Sequence, residues 1–123
     1  MTPDEFRSWM NDYKRAWETR DPELAASLFA EFAVYQEAPY RDPLRGRATV
    51  RAYWEHIPRT QENVRFEFEV LAAAGETGFA HWWASFRRIP SGKRVHLDGI
   101  AAVTLDGEGK CRLFREWWHK REV

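Results

Sequence analysis

Only one cysteine, Cys111, occurs in the 123 residues. A lone thiol excludes an intramolecular disulfide and a thiolate zinc cluster. Long apolar runs are missing as well: none approaches the roughly 18 residues of a membrane span. Neither sign of charge is in excess, because 19 Lys+Arg balance 19 Asp+Glu. A dedicated nucleic-acid binder needs a positive surplus to neutralise phosphates, so that class is set aside. No repeat, low-complexity stretch or linker interrupts the chain. Met1-Thr2-Pro3-Asp4-Glu5 has neither the basic start nor the apolar stretch of a signal peptide. A cytoplasmic location is therefore expected.

The surplus is in the aromatics: 7 Trp, 4 Tyr and 8 Phe make up 15% of the chain. A small core uses fewer, so some are expected to line a cavity or an interface. The length suits a single domain, residues 1–123, with a core of its own. Thr2-Pro3-Asp4-Glu5 reads as an N-cap, a first-turn proline and a capping-box acid. Phe6, Trp9, Met10, Tyr13, Ala16 and Trp17 then recur at helical spacing, which predicts a helix over 3–19. Asp21-Pro22 starts a second, with Leu24, Ala25, Leu28 and Phe29 on its pattern. A short strand is expected over 33–37, then a turn-rich loop or weak hairpin to Gly46, then a third helix over 48–56. After Pro58 the period becomes two. Strands are expected over 64–70, 79–89, 94–105 and 111–120, joined by turns at Gly75–Gly78, Pro90–Lys93 and Asp106–Gly109. Helices first and strands later make an α+β class, three N-terminal helices packed on a curved antiparallel sheet.

This order, with Trp17-Glu18-Thr19-Arg20-Asp21, Leu28 to Tyr35, Gly46, Tyr53-Trp54, Asp98-Gly99-Ile100, Asp106 to Lys110 and Phe114 to Trp118, resembles the nuclear-transport-factor-two-like superfamily. It is most similar to the SnoaL-like polyketide cyclase branch. The resemblance spans almost the whole chain. It implies a cone-shaped half-barrel, a pocket between sheet and helices at the wide end, and a dimer made through the outer sheet face. It does not fix an activity, because this fold hosts enzymes, carriers and dimerisation modules.

Strand parity sorts the side chains, since successive residues alternate faces. Trp82-Trp83 and Trp117-Trp118 each place one indole on either face. Helices cover only one face, so the other wants a partner. A homodimer through Trp83 and Trp117, with His81 and Leu113 beside them, is expected. By analogy with the family, Ala101 points into the cone, and Leu97, Gly99 and Val103 share its face. Pairing about the turns places Ala84 and Glu116 opposite Gly99. Trp82, Phe86, Arg88, Phe114 and Trp118 then face inward. Small Ala84, Gly99 and Ala101 would leave a hole walled by aromatics, the usual build of a ligand pocket. A cavity above about 300 Å³ is expected, with Trp17, Tyr35, Tyr53 and Trp54 among its walls. The competing reading fills that hole with helix-one aromatics.

Three polar groups converge on this space: Glu37, Tyr13 and Glu116. The stretch from Tyr13 through Asp21 to Glu37 also resembles the ketosteroid isomerase branch. That resemblance implies Tyr13 as a donor to an oxyanion and Glu37 as the base. The branch's third member, a neutral acid, falls at Ala101, which cannot donate. A carboxylate among aromatics is partly desolvated and becomes a better proton carrier, a phenol can steady an enolate, and a protonated Glu116 could supply the missing donor. Glu116 could equally be the ion-pair partner of Arg88 or Arg115. His96 and His119 are expected to face each other on the outer face, too little for a metal site. Lys110 and Arg112 beside Cys111 could lower its pKa. Neither metal nor cofactor is invoked. Two functions follow: a module that binds a small apolar molecule, or a cofactor-independent isomerase, cyclase or hydrolase acting on a polycyclic or terpenoid-like substrate.

Overall fold

All residues, Met1–Val123, are described by a computed structural model. Helix α1 spans Pro3–Glu18, opened by the capping box read from the sequence. The Thr2 hydroxyl accepts from the Glu5 amide at 3.1 Å, and the Glu5 carboxylate accepts from the Thr2 amide at 3.3 Å. Two of the orphan donors at the helix start are thereby satisfied. The buried stripe of α1 is Phe6, Trp9, Met10, Tyr13, Ala16 and Trp17, the six residues at helical spacing. Helix α2 is shorter than expected, Pro22–Ser27, with Asp21 accepting from the amides of Glu23 and Leu24. Leu28 ends it, and Phe29 already belongs to strand β1, Phe29–Gln36. Glu37 stands one residue beyond that strand.

Strand β2 is only Leu44–Arg45. Helix α3, Arg47–Trp54, is followed after Glu55 by the short helix α4, His56–Thr60. Pro58 is the third residue of α4, within the first turn, where its missing N–H breaks no hydrogen bond. Four long strands complete the chain: β3 Gln61–Ala74, β4 Thr77–Arg88, β5 Arg94–Leu105 and β6 Cys111–Glu122. The six-stranded sheet runs β2-β1-β6-β5-β4-β3. Every pair is antiparallel except β1–β6, which is parallel. That exception follows from connectivity: β1 reaches β6 only through the helices and the whole meander.

The expected register is corrected by two residues. Gly99 lies opposite Trp82 and Trp118, not Ala84 and Glu116. One cause is the loop between β4 and β5, which closes on Arg88 and Lys93 (N–H to O, 2.8 Å) and so is centred one residue earlier than the turn motif suggests. The other is a bulge near Leu105, which brings Cys111 opposite it. A slip of two preserves parity, so every inward residue stays inward. For the same reason His96 does not face His119: its partner is Arg121, and His119 pairs with Asp98.

A single core cluster lies between α1 and the inner sheet face. Its narrow end is filled by Phe6, Met10, Phe29, Val103 and Cys111, all essentially without exposed surface. Burial pushes the Cys111 thiol up, which corrects the expectation that its basic neighbours lower it. Gly78 on β4 lets the ring of Phe6 pack directly on the backbone; a Cβ there would sit 2.4 Å from that ring. No helix is long and apolar enough to cross a membrane.

Candidate functional site

Toward the other end of the sheet the filling stops. Aromatics of α1 occupy mid-cone: Tyr13 stacks on Phe114 with ring centres 5.5 Å apart, and Phe114 stacks on Tyr35 at 4.8 Å. Beyond them lies a cavity of about 220 Å³. It is smaller than the sequence led us to expect, because helix-one rings take up the deeper half of the hole. Its walls include Tyr13, Trp17, Tyr35, Glu37, Tyr53, Trp54, Trp82, Phe86, Glu116 and Trp118. Gly99, Ala101 and Phe114 are not part of the wall. Gly99 is small for another reason: a Cβ would lie 2.4 Å from the Trp117 carbonyl oxygen and 2.8 Å from the Trp118 Cβ. The glycine lets two strands approach and makes no room for a ligand. Ala101 sits between Ala80 and Glu116 on the neighbouring strands.

Three elements place the polar groups. Strand β1 delivers Tyr35 and then Glu37 at its frayed end. Helix α3 presents Tyr53, whose hydroxyl donates to a Glu37 carboxylate oxygen. The backbone carbonyl of Glu37 accepts from the Trp118 indole at 2.9 Å, which ties β1 to β6 at the cavity mouth. Arg41 lies 3.8 Å from the other Glu37 oxygen. The phenol that engages Glu37 is therefore Tyr53 of α3. Tyr13 is deeper, with the Tyr35 hydroxyl beside it. The missed pairing had a signal: Tyr53 and Trp54 straddle the inner edge of a helix that follows Gly46, which returns the chain over the end of β1.

Glu116 is 7% exposed and points from β6 into the same cavity. It forms neither of the ion pairs weighed from the sequence. Arg88 is taken by Glu122 at 2.9 Å, and the Arg115 guanidinium lies over the Trp117 ring on the outer face. Burial pushes the Glu116 carboxyl well above its ordinary range, and the nearby charge of Glu37 pushes it further. No hydrogen bond to the ionised form offsets this. Tyr13, Tyr35 and Tyr53 are likewise raised, chiefly by desolvation, and each feels both carboxylates. Three phenols and two carboxyl groups, those of Glu37 and Glu116, thus share one small space. Two buried indole N–H groups in its wall, those of Trp54 and Trp82, have no partner, whereas Trp17 donates to Gln61 at 2.8 Å. The arrangement can hold a small molecule against aromatic faces, give a proton from Glu116 and take one at Glu37.

The outer face carries a different chemistry. Trp83 and Trp117 are 40% and 44% exposed; Ile100 on β5 lies opposite Trp117 and His81, and Trp83 lies opposite Asp98. His81 is held between Glu69 at 3.1 Å and Asp98 at 3.0 Å. These carboxylates come from β3 and β5, where sequence alone gave no hint of their alignment.

Comparison with known proteins agrees with this fold. Residues 10–114 match the SnoaL-like domain family. No curated protein sequence matches. Among solved structures, the epoxide hydrolase/cyclase-like enzyme SalBIII, connected with pyran ring formation in the polyether salinomycin, superposes with a TM-score of 0.80. It is 24% identical over 92% of this chain and 89% of its own. A Bacillus subtilis protein provisionally described as an isomerase superposes at 0.82, with 17% identity over 94% and 87%. At these identities the likeness is one of fold. The chain belongs to the SnoaL-like domain family, within the nuclear-transport-factor-two-like superfamily.

Proposed function

We propose that this SnoaL-like protein binds a small, largely apolar molecule in the 220 Å³ cavity and moves protons on it, with Glu116 as acid and Glu37 as base. The observation that carries the reading is the Glu116 carboxyl, buried without an internal partner and sharing a cavity with Glu37. An unpaired buried carboxyl is costly to retain unless it is neutral, and a neutral carboxyl is a hydrogen-bond and proton donor. It stands where Ala101 leaves no donor. Tyr53 orients Glu37, and Tyr13 and Tyr35 line the deeper wall as donors to a developing oxyanion. Its structural neighbours include an epoxide hydrolase/cyclase-like enzyme connected with pyran ring formation and a protein provisionally described as an isomerase, and acid–base chemistry in this pocket is compatible with those descriptions.

The test is a panel of small epoxides and cyclic enones assayed by product analysis and by deuterium uptake from D2O, beside binding of an apolar fluorescent probe that quenches the indoles. The expected result is turnover of at least one substrate class that is lost in Glu37→Gln and Glu116→Gln, with probe binding kept. Probe binding without any turnover on the whole panel would favour the binding-module reading, to which the absent donor at Ala101 also points.

We infer as well that the outer face joins two copies of the chain. The two exposed indoles and Ile100 give an outer face that is apolar in part, with Trp117 directly opposite Ile100 and Trp83 diagonal to it. Such an interface should bury more than about 1,000 Å² in total. A monomer in sedimentation at micromolar concentration would refute it.

A further inference from the structure

The wall of the cavity is not electrically even. Its deep part is aromatic, with the buried Glu116, whereas three cations, Arg41, Arg88 and Lys120, also line it. Two of them are matched: Arg41 by Glu37 at 3.8 Å and Arg88 by Glu122 at 2.9 Å. Lys120 has no such match. It lies on β6 two residues beyond Trp118 and so on the inner face, opposite Leu97 of β5. No carboxylate reaches it within ion-pair distance. The carboxylate of Glu37 is already engaged by Tyr53 and Arg41.

We propose that the ligand is an amphiphilic anion: its apolar body fills the aromatic cavity and its acid group sits at the mouth against Lys120. This deepens the pocket reading and rests on it. The physical reason is charge balance beside a low-dielectric wall. Lys120 is exposed at the rim, but it lines the cavity beside its apolar wall, so an anion held there gains more than an anion paired in bulk solvent would. A neutral ligand of the same shape leaves that gain unused, and a cationic one is repelled. Lys120 is a flexible point charge with three donors, which suits a carboxylate presented end-on and imposes no planar fork. It would select the ligand and fix which end enters first, so that the body reaches Glu116 and Glu37.

Octanoate, octanol and octylamine test this, because they share one tail and differ only in the head. Affinities are read from indole quenching and by calorimetry at low ionic strength. A charge-assisted contact predicts octanoate binding about tenfold tighter than octanol, with octylamine weakest. Added salt should erode the octanoate advantage. Lys120→Met should erase the difference between octanoate and octanol, and Lys120→Glu should turn the preference toward octylamine. Lys120 is exposed, so both variants should fold, and circular dichroism checks this. Equal binding of octanoate and octanol by the native protein overturns the inference while leaving the pocket reading in place, as does an octanoate preference that survives in Lys120→Met. Failure of all three to bind removes the pocket reading and this inference with it.

Discussion

The two ends of the cone are built from the same strands and solve opposite problems. At the narrow end, Phe6 packs on the bare backbone of Gly78, the Trp9 indole donates to the Leu28 carbonyl at 3.1 Å, and Cys111 and Val103 have no exposed surface. Apolar groups fill the space and the polar atoms find partners. At the wide end, Glu116 and the indoles of Trp54 and Trp82 are buried without partners around an unfilled volume. A protein keeps such groups at a cost in stability, and functional sites are where that cost is usually met. The lesson is that aromatic content alone does not mark a pocket. Unmatched polarity among the aromatics does.

Variants can break or sharpen that contrast. The largest stability effect is expected at the narrow end, where Phe6→Ala opens a cavity in close-packed surroundings and should cost about 3–5 kcal/mol in denaturant unfolding. Trp118→Ala at the half-buried mouth should cost less than half of that; equal losses would mean that both ends are packed alike. Next comes Glu37→Gln, which should lower turnover of any accepted substrate by about 100-fold or more while leaving the unfolding midpoint nearly unchanged. A loss of stability in place of activity would make Glu37 a structural link to Tyr53. Gly99→Ala should cost about 1–3 kcal/mol, since the added methyl meets backbone of the adjacent strand, yet it should not alter probe affinity, because Gly99 lies outside the cavity wall.

The smallest effect is a slope with pH. The folded state holds the Glu116 carboxyl above its ordinary value of 4.5, so the native protein binds a proton that the unfolded chain releases. Stability due to this group is therefore full below pH 4.5 and falls as pH rises toward the folded-state pKa, by at most about 1.4 kcal/mol per pH unit. Glu116→Gln should flatten that part of the profile. A profile identical in both proteins would mean that Glu116 is ionised in the cavity and cannot be the acid.

Local patterns were legible because their causes are local. The capping box at Thr2 and Glu5, the helical stripe from Phe6 to Trp17, and the alternation along β3 to β6 each depend on residues a few positions apart. Parity survived an error of two in register because a strand's side chains repeat every second residue. The register itself was not legible: it was set by where the Arg88–Lys93 loop closes and by a bulge near Leu105, and neither follows from turn residues alone. Site residues divide in the same way. Inward direction could be read from strand parity for Glu37 and Glu116 and from helical spacing for Tyr13, while the roles of Tyr13 and Glu37 came from the family resemblance. Their partners could not, because partners come from distant segments. Tyr53 meets Glu37 from another element, and Glu69 and Asp98 flank His81 from two different strands.

The sequence by itself therefore determined the main helices and long strands, the face each residue presents, and an α+β class rich in aromatics. Only the tertiary structure decided how much of the cone α1 fills, which phenol meets the base, and that Glu116 is left unpaired beside Glu37. Helix and strand patterns follow from the short-range periodicity of one chain. Cavity volume and carboxyl protonation depend on how closely separate elements approach, and a small shift in that approach decides between a packed ring and an open site.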